Sequence, residues 1–407
     1  MSKGKAAVDD VVVVSAVRTP FGKFGGMLKD VPSIDLGVHV VREVLKRVDI
    51  RGDLVSEVYY GCTIPVESGC PVAAVVGRQV LLKAGLPSST VSLTVDRACC
   101  SSLAAAQLGY RAIKSGETQV VIAAGAENMG RAPHILYDLR WGKRTGNVVV
   151  QDPLWELGYP GYSPVAVDAG EVALEYGVTR QEQDEWAYLS QRRYAEALDA
   201  GKFEDEIAPI EVPQAKSPSV LFSRDEFPRP GTTLDQLAKL PTVYGSPTVT
   251  AGNSPGINAG GAAVLLMNRG SAESLGLEPL AKIVSTASVC MDWRLIAAVP
   301  GFAILEALRR AGVSLDEISL IEINEAFAAM PLVSSKIMAD GDETKLKSIR
   351  ARINVNGGAI AIGHPLGATG ARLLTTLIYE LRRRGGGYGV ASLCGGLAQG
   401  DALVVQV

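Results

Sequence analysis

One cysteine stands where the sequence passes from a strand pattern into a helix pattern. The segment VDRACCSSLAAA, residues 95–106, places Cys99 at the start of that helix, directly before Cys100. A thiol at a helix N-terminus faces free backbone N–H groups and the positive end of the helix dipole, which lower its pKa. Cys99 is therefore a candidate nucleophile. The alternative is that both cysteines are small buried core residues, and position alone leaves the two interpretations open.

A histidine in a glycine-rich turn is the candidate general base. The segment NVNGGAIAIGHPLGATGAR, residues 354–372, holds His364 directly before a helical pattern. Its five glycines permit positive φ angles and close approach of the backbone. Imidazole titrates near neutral pH and suits proton transfer. His39 and His134 lack this setting and are interpreted as structural.

A second cysteine lies where another apolar strand ends in small residues. In CGGLAQG, residues 394–400, Cys394 precedes glycines, and exposed N–H groups such as that of Gly396 can stabilise an oxyanion. A tight turn between two strands is the alternative interpretation of this motif.

A polar pair follows another apolar strand. In INEAFAAM, residues 323–330, Asn324 and Glu325 lie directly after the strand, where site residues are frequent. A helix cap would explain that pair equally well.

Composition limits what this chain does. Its 407 residues suggest two or three domains, and 47% hydrophobic with 20% charged residues argue against disorder. A net charge of -3 favours neither nucleic acid nor a membrane surface as partner. No run reaches the ~18 apolar residues of a membrane helix, and no signal segment opens the chain, so a cytoplasmic protein is expected. Six cysteines without a C-x-x-C pair, beside three histidines, predict neither a metal site nor a disulfide framework.

Alternating strand and helix patterns must position these residues. Apolar runs predict strands at 11–17, 55–61, 91–95, 119–124, 262–267, 281–285, 320–323, 389–393 and 402–405. Helical spacing predicts helices at 34–48, 72–82, 100–114, 180–200, 303–311 and 366–384. The alternation indicates an α/β layer with a mainly parallel sheet. The last third echoes the first across a long proline-rich middle, which indicates an internal duplication interrupted by an insertion.

The motifs together resemble the thiolase family over nearly the whole chain. SAVRTPFGKFGG, GAENM, TAGNSPGINAGGAA, NEAFA, NGGAIAIGHPLGATGAR and CGGLAQG follow the family pattern in its order. The resemblance implies an α/β fold with two similar halves in five layers, α-β-α-β-α, and an inserted loop domain. It divides the chain into an N-terminal half (1–127 and 250–278), the loop domain (128–249) and a C-terminal half (279–407). It also implies a homodimer or homotetramer.

The resemblance also implies roles for individual residues. Cys99 resembles the nucleophile that accepts the acyl group, and His364 the base that activates it. Cys394 is similar to the second cysteine, which moves a proton to and from the α-carbon. Asn324 would hold a water that forms one oxyanion hole with His364, and the amides of Cys99 and Gly396 would form the other. The activity implied is CoA-dependent cleavage of a 3-ketoacyl-CoA, or the reverse condensation.

Coenzyme A enters as co-substrate, and no permanently bound cofactor is expected. Ser254, Lys216 and Arg229 are the candidate contacts for CoA, since the resemblance places CoA against the inserted region. The segment GYSPVAVDAGEVA, residues 161–173, departs from the family pattern, with Ser163 and Pro164 where His-Met is usual. Because that segment lines the acyl pocket in the family, we expect a larger, branched or aromatic acyl group.

Other interpretations remain open. Trp141, Trp155 and Tyr162 either line a larger pocket or pack ordinarily within the loop domain. The run Cys100-Ser101-Ser102 resembles ketoacyl synthases, although their HGTGT-type histidine motif is absent. An acetoacetyl-CoA thiolase, a non-catalytic acyl-CoA-binding subunit, and a catalytic chain that needs a small accessory subunit are the remaining alternatives.

Overall fold

A computed structural model describes residues 10–67, 74–155, 159–214 and 218–407. The strands are β1 Val11–Arg18, β2 Gly22–Lys23, β3 Glu57–Gly61, β4 Val91–Val95, β5 Val120–Asn128, β6 Ile135–Leu136, β7 Val150–Gln151, β8 Ile210–Val212, β9 Val220–Phe222, β10 Asn258–Asn268, β11 Ala281–Cys290, β12 Ile318–Ile323, β13 Tyr388–Gly395 and β14 Gln399–Gln406. The helices are α1 Ser33–Lys46, α2 Val76–Ala84, α3 Ser101–Lys114, α4 Val165–Glu175, α5 Arg180–Asp199, α6 Leu234–Ala238, α7 Arg269–Ser274, α8 Val299–Ala311, α9 Ala329–Ala339, α10 Glu343–Arg352, α11 Ala359–Ile362 and α12 Thr369–Arg383.

The main strands form one mixed sheet in the order β12-β13-β14-β11-β1-β10-β5-β3-β4. Among the described strands only the pairs β3–β4, β3–β5 and β12–β13 are parallel, so the expectation of a mainly parallel sheet is wrong. The strand–helix alternation was the basis of that expectation, but β14 follows β13 through a three-residue turn, which joins only antiparallel strands. The long insertion likewise lets β10 return antiparallel to β5.

The halves of this sheet face each other across a central helical layer. Helices α3 and α12 contact each other and strands from both halves. Helices α1 and α2 cover the outer face of the N-terminal half, and α8 covers the C-terminal half. Buried side chains accordingly form one central core and one core beneath each outer layer. This arrangement confirms the duplicated α-β-α-β-α fold.

The inserted region packs against the C-terminal half and forms ion pairs with the N-terminal half. Residues of α4 and α5 share a core with α8 and α9 of the C-terminal half. The buried guanidinium of Arg18, at the end of β1, pairs with Glu206 at 2.6 Å and with Asp225 at 2.7 Å. The domain boundaries stay predictions. Within the described residues, no helix is long and apolar enough to span a membrane.

Candidate active site

Cys99 lies in a tight turn between β4 and α3. Ala98 takes a positive φ of 49°, an uncommon conformation for a residue with a side chain. The Cys100 N–H donates to the Arg97 carbonyl at 3.1 Å, and the Ser101 N–H donates to the Ala98 carbonyl at 3.0 Å. The Ser101 hydroxyl accepts from the Arg97 N–H at 2.9 Å and donates to the Ala98 carbonyl at 2.6 Å. These bonds fix the turn that presents Cys99 to a cavity.

The thiol of Cys99 is protonated at rest, contrary to the expectation of a lowered pKa. Burial raises its pKa to about 12, and the carboxylate of Glu127 acts in the same direction. Helix α3 begins at Ser101, so Cys99 lies before the helix and not in its first turn. Cys99 therefore needs a base to become a nucleophile. Cys100 is fully buried with its thiol 3.6 Å from the Leu393 carbonyl, so the core interpretation fits Cys100.

The hydrogen bonds of His364 define which ring nitrogen is basic. The Thr369 hydroxyl donates to the Pro365 carbonyl at 2.9 Å, so its oxygen accepts from His364 Nδ1–H at 2.6 Å. Nε2 then carries the free electron pair and accepts from Asn324 Nδ2 at 3.3 Å. The His364 N–H donates to Asn258 Oδ1 at 3.0 Å, which holds the backbone. Burial, with the Arg372 charge, lowers the His364 pKa to about 3, so the imidazole is neutral near pH 7.

Asn324 directly follows β12, and its side chain contacts His364. Its N–H donates to the carbonyl of Ser392 on β13 at 3.0 Å, which continues the strand pairing to this residue. Its side chain is fully buried, and Oδ1 has no partner among the described residues. Buried acceptors are nearly always satisfied, so this oxygen retains the capacity to hold a water or a substrate group.

Glu325 anchors the segment that carries Asn324. Oε1 accepts from Trp186 Nε1 and from Asn354 Nδ2, both at 2.9 Å. Oε2 accepts from the Ser190 hydroxyl at 2.8 Å and from the Ile360 N–H at 3.1 Å. The carboxylate thus joins α5 of the insertion to the chain that leads to His364. The helix-cap interpretation is wrong, since α9 begins four residues later at Ala329.

Cys394 and Gly396 lie where β13 turns into β14. Leu397 and Ala398 take positive φ angles of 60° and 51° in this turn. The Cys394 thiol is buried, and burial together with nearby Cys99 raises its pKa well above the ordinary value. A methyl group at Gly396 would overlap the hydroxyl of Tyr159, so a larger residue there would displace that ring. Gly396 therefore faces the cavity and the inserted region.

The turn that contains Cys99 and the turn that contains Gly396 are in direct contact. Arg97 Nε lies 3.1 Å from the buried carboxylate of Asp401, the third residue of β14. A Cβ at Gly395 would lie 2.8 Å from the Arg97 carbonyl, so the two backbones are in contact. This contact fixes the spacing of the two turns.

A cavity of about 470 Å³ brings the predicted residues together. Cys99, His364, Cys394 and Gly396 all line it, and Asn324 contacts His364 from behind. One part of its wall is apolar and comes from the insertion and from the C-terminal half: Leu154, Val165, Ala166, Ile296, Phe327 and Met330. His39 and His134 lie elsewhere, as expected. The arrangement supplies two thiols and one neutral imidazole to a single chamber.

The candidate CoA contacts fall partly within this chamber. Ser254 and Arg229 line it, and Lys216 lies outside the described residues. The Ser254 hydroxyl donates to the Thr250 carbonyl at 2.7 Å and keeps its oxygen available as an acceptor. The Arg229 guanidinium lies 5.3 Å from the centre of the Phe227 ring. Within the described chain, no group of three His, Cys, Asp or Glu side chains is arranged to hold a metal ion.

Sequence reasoning missed several cavity residues and chose others that lie outside. Trp141 is 91% exposed, Trp155 packs edge-on against Tyr244, and Tyr162 packs against Trp293. None of these three lines the cavity, which contradicts the larger-pocket interpretation for them. Tyr159 does line it, and no spacing or motif distinguishes this tyrosine from its neighbours in the sequence.

Known proteins of one family match nearly the whole chain. The thiolase N-terminal domain model matches residues 11–270, and the thiolase C-terminal domain model matches residues 277–407. An acetyl-CoA acetyltransferase of Cupriavidus necator is 43% identical over 98% of this chain and 99% of its own. A beta-ketoadipyl-CoA thiolase of Acinetobacter baylyi is 39% identical over 97% of this chain and 98% of its own. The crystal structure of human mitochondrial 3-ketoacyl-CoA thiolase in complex with CoA superposes with a TM-score of 0.90, at 38% identity, over 98% of both chains. The chain belongs to the thiolase family and is an acyltransferase.

Proposed function

We propose that this protein cleaves a 3-ketoacyl-CoA with CoA, through an acyl group carried on Cys99. The main support is that His364, with Nε2 unprotonated, lines the same cavity as Cys99 and Cys394. The relatives named acetyl-CoA acetyltransferase and beta-ketoadipyl-CoA thiolase support CoA as the co-substrate.

In the first half-reaction the Cys99 sulfur attacks the 3-keto carbon, and His364 Nε2 takes the thiol proton in place of its hydrogen bond from Asn324. A base is needed because the thiol pKa is about 12. The C2–C3 bond then breaks, its electron pair forms the enolate of acetyl-CoA, and the Cys394 thiol protonates C2. Cys99 is left as a thioester and Cys394 as a thiolate.

In the second half-reaction the Cys394 thiolate takes the proton of CoA. The CoA sulfur attacks the thioester on Cys99, and the departing Cys99 sulfur takes back the proton that His364 holds. A thiol suits both roles, since it is a strong nucleophile and a good leaving group. The amides of Cys99 and Gly396 stabilise one oxyanion, and His364 with a water on Asn324 stabilises the other.

We propose further that the acyl group is a larger, branched or aromatic one. This part of the proposal is supported by the apolar wall of the cavity, to which Ile296, Phe327 and Met330 contribute. Val165 and Ala166 of α4 also line it, and they lie in the segment that departs from the family pattern. This apolar part of the wall favours apolar groups of the substrate where it contacts them, because an unpaired charge there would lose its hydration.

An acetoacetyl-CoA thiolase is the second candidate, favoured by the names of several relatives. A panel of 3-ketoacyl-CoA substrates with acetyl, straight, branched and aromatic acyl groups separates the two, with cleavage followed on adding CoA. Turnover confined to acetoacetyl-CoA would refute the larger acyl group. Absence of cleavage across the panel, with CoA still bound, would support a non-catalytic subunit.

The nucleophile is tested by intact mass. Cys99→Ser is expected to abolish the acyl-enzyme adduct, and Cys100→Ser to retain it. The reverse result would show that Cys100 is the nucleophile. The ketoacyl synthase interpretation requires a second catalytic histidine, whereas His364 is the one histidine on the described cavity wall.

We also propose that the chain assembles as a homodimer or homotetramer, with a small accessory subunit as a further partner to be tested. The edge strand β4 exposes Val91 and Leu93, and the β6–β7 hairpin region exposes Trp141. Exposed apolar side chains on an unpaired sheet edge favour self-association. Light scattering of the purified chain measures the assembly. Full activity of the lone chain would exclude a required accessory subunit.

A further inference from the structure

Tyr159 comes from the inserted region and reaches the catalytic chamber. It lines the cavity together with Cys99, Cys394 and Gly396. Its hydroxyl lies so close to Gly396 that a Cβ at that position would overlap it. The hydroxyl thus stands beside the turn whose amide is assigned to stabilising the oxyanion.

The phenol of Tyr159 is a hydrogen-bond donor that no described residue uses. Its hydroxyl makes no hydrogen bond within the described chain, although it borders the turn at Gly396 and the cavity that holds both thiols. Burial raises its pKa to about 12, and negative charge on Cys99 or Asp96 acts in the same direction. The phenol therefore keeps its proton throughout the neutral pH range and has that proton to donate.

We propose that Tyr159 is a catalytic residue that donates a hydrogen bond to the carbonyl oxygen of the acyl group on Cys99. This inference rests on the proposed function, since it needs an acyl-Cys99 intermediate. The donor acts beside the Gly396 amide, on the oxygen that becomes negatively charged as CoA attacks. No bond is formed or broken at Tyr159, and its proton stays on the phenol.

A purely steric role would make a different prediction. If the ring only limits the space for the acyl group, removing the hydroxyl leaves the reaction unchanged. Removing the whole ring would then alter which acyl groups fit. Tyr159→Phe keeps the ring and removes only the donor, so this variant separates the two roles.

The experiment measures both half-reactions of wild type, Tyr159→Phe and Tyr162→Phe by rapid quench and intact mass. With a 3-ketoacyl-CoA that wild type cleaves, Tyr159→Phe is expected to slow acyl transfer from Cys99 to CoA by about 10- to 100-fold. The KM for CoA should change little. Tyr162→Phe is the matched control, because this half-exposed ring packs on Trp293 outside the cavity, and its rates should equal those of wild type.

A spectroscopic measurement gives an independent readout. With a ¹³C-labelled acyl group on Cys99, the carbonyl stretch is expected at lower frequency in wild type than in Tyr159→Phe, because a hydrogen bond weakens the carbonyl bond. Equal rates and equal frequencies in the two proteins would overturn the inference while leaving the proposed function intact. A wild-type chain that forms no acyl-Cys99 with any substrate would overturn the proposed function, and the inference with it.

Discussion

The choice of basic nitrogen on His364 depends on one hydroxyl, and Thr369→Val tests that dependence. The Thr369 oxygen accepts from Nδ1–H at 2.6 Å in a fully buried setting. Valine has nearly the same shape but leaves Nδ1–H without an acceptor, which costs about 1–3 kcal/mol. That cost favours the tautomer with the proton on Nε2, where it blocks the base. The equilibrium constant between the two tautomers should shift against the competent form by about 5- to 150-fold, since ~1.4 kcal/mol is a factor of ten.

The assay is the single-turnover rate of Cys99 acylation, followed by intact mass between pH 5 and 8. Wild type should lose no rate to protonation of His364 in this range, because the lowered pKa of about 3 keeps the imidazole neutral above it. Thr375→Val is the matched control. Its hydroxyl is also buried on α12 and donates to the carbonyl four residues earlier, at 2.8 Å, without contacting His364. Equal acylation rates in Thr369→Val and Thr375→Val would refute the reasoning.

Three further predictions concern reactivity and stability. The first uses a Cys290→Ser variant, which removes an exposed thiol, and follows alkylation of Cys99 by iodoacetamide with peptide mass spectrometry. The alkylation rate should rise about tenfold per pH unit from pH 7 to 9, because the thiol pKa lies above this range. A plateau in that range would contradict a buried, protonated thiol. Glu325→Ala should lower the free energy of unfolding in urea by about 3 kcal/mol or more, because four donors lose their acceptor. A loss below about 1 kcal/mol would show that the network is not stabilising. Gly363→Ala should slow acylation more than tenfold, since its φ is +111° and the new Cβ would lie 2.7 Å from the Asn258 side chain. Gly385→Ala, with φ +87° in open space, should only lower Tm. Equal acylation in these two variants would argue against a positioning role for Gly363.

The positions of the reactive groups could be predicted from local sequence. Cys99, His364 and Cys394 each lie beside a turn at the end of a strand or the start of a helix, and both halves repeat that pattern. Turn chemistry is local, so it is visible in one short segment. The family motifs then supplied the order in which these turns meet.

Properties that depend on distant segments could not be predicted. The raised pKa of Cys99 follows from burial in the folded chain, which a local sequence pattern does not show. The antiparallel pairing of β10 with β5 depends on strands separated by the whole insertion. Tyr159 meets Gly396 only because the insertion folds back onto the β13–β14 turn. Each of these three properties depends on tertiary contacts between distant segments, which the composition does not indicate.

The Glu325 network has a consequence for how substrate range can change. Helix α5 supplies Trp186 and Ser190 to that carboxylate, so replacing the whole insertion would also disturb the support beneath Asn324. Helix α4 instead presents Val165 and Ala166 to the chamber and holds none of the Glu325 bonds. Within the insertion, α5 is thus tied to the catalytic residues through Glu325, whereas α4 contributes to the cavity wall and packs on the C-terminal half. Substitutions confined to these two cavity-lining residues would reshape the acyl pocket without touching the hydrogen bonds of Glu325.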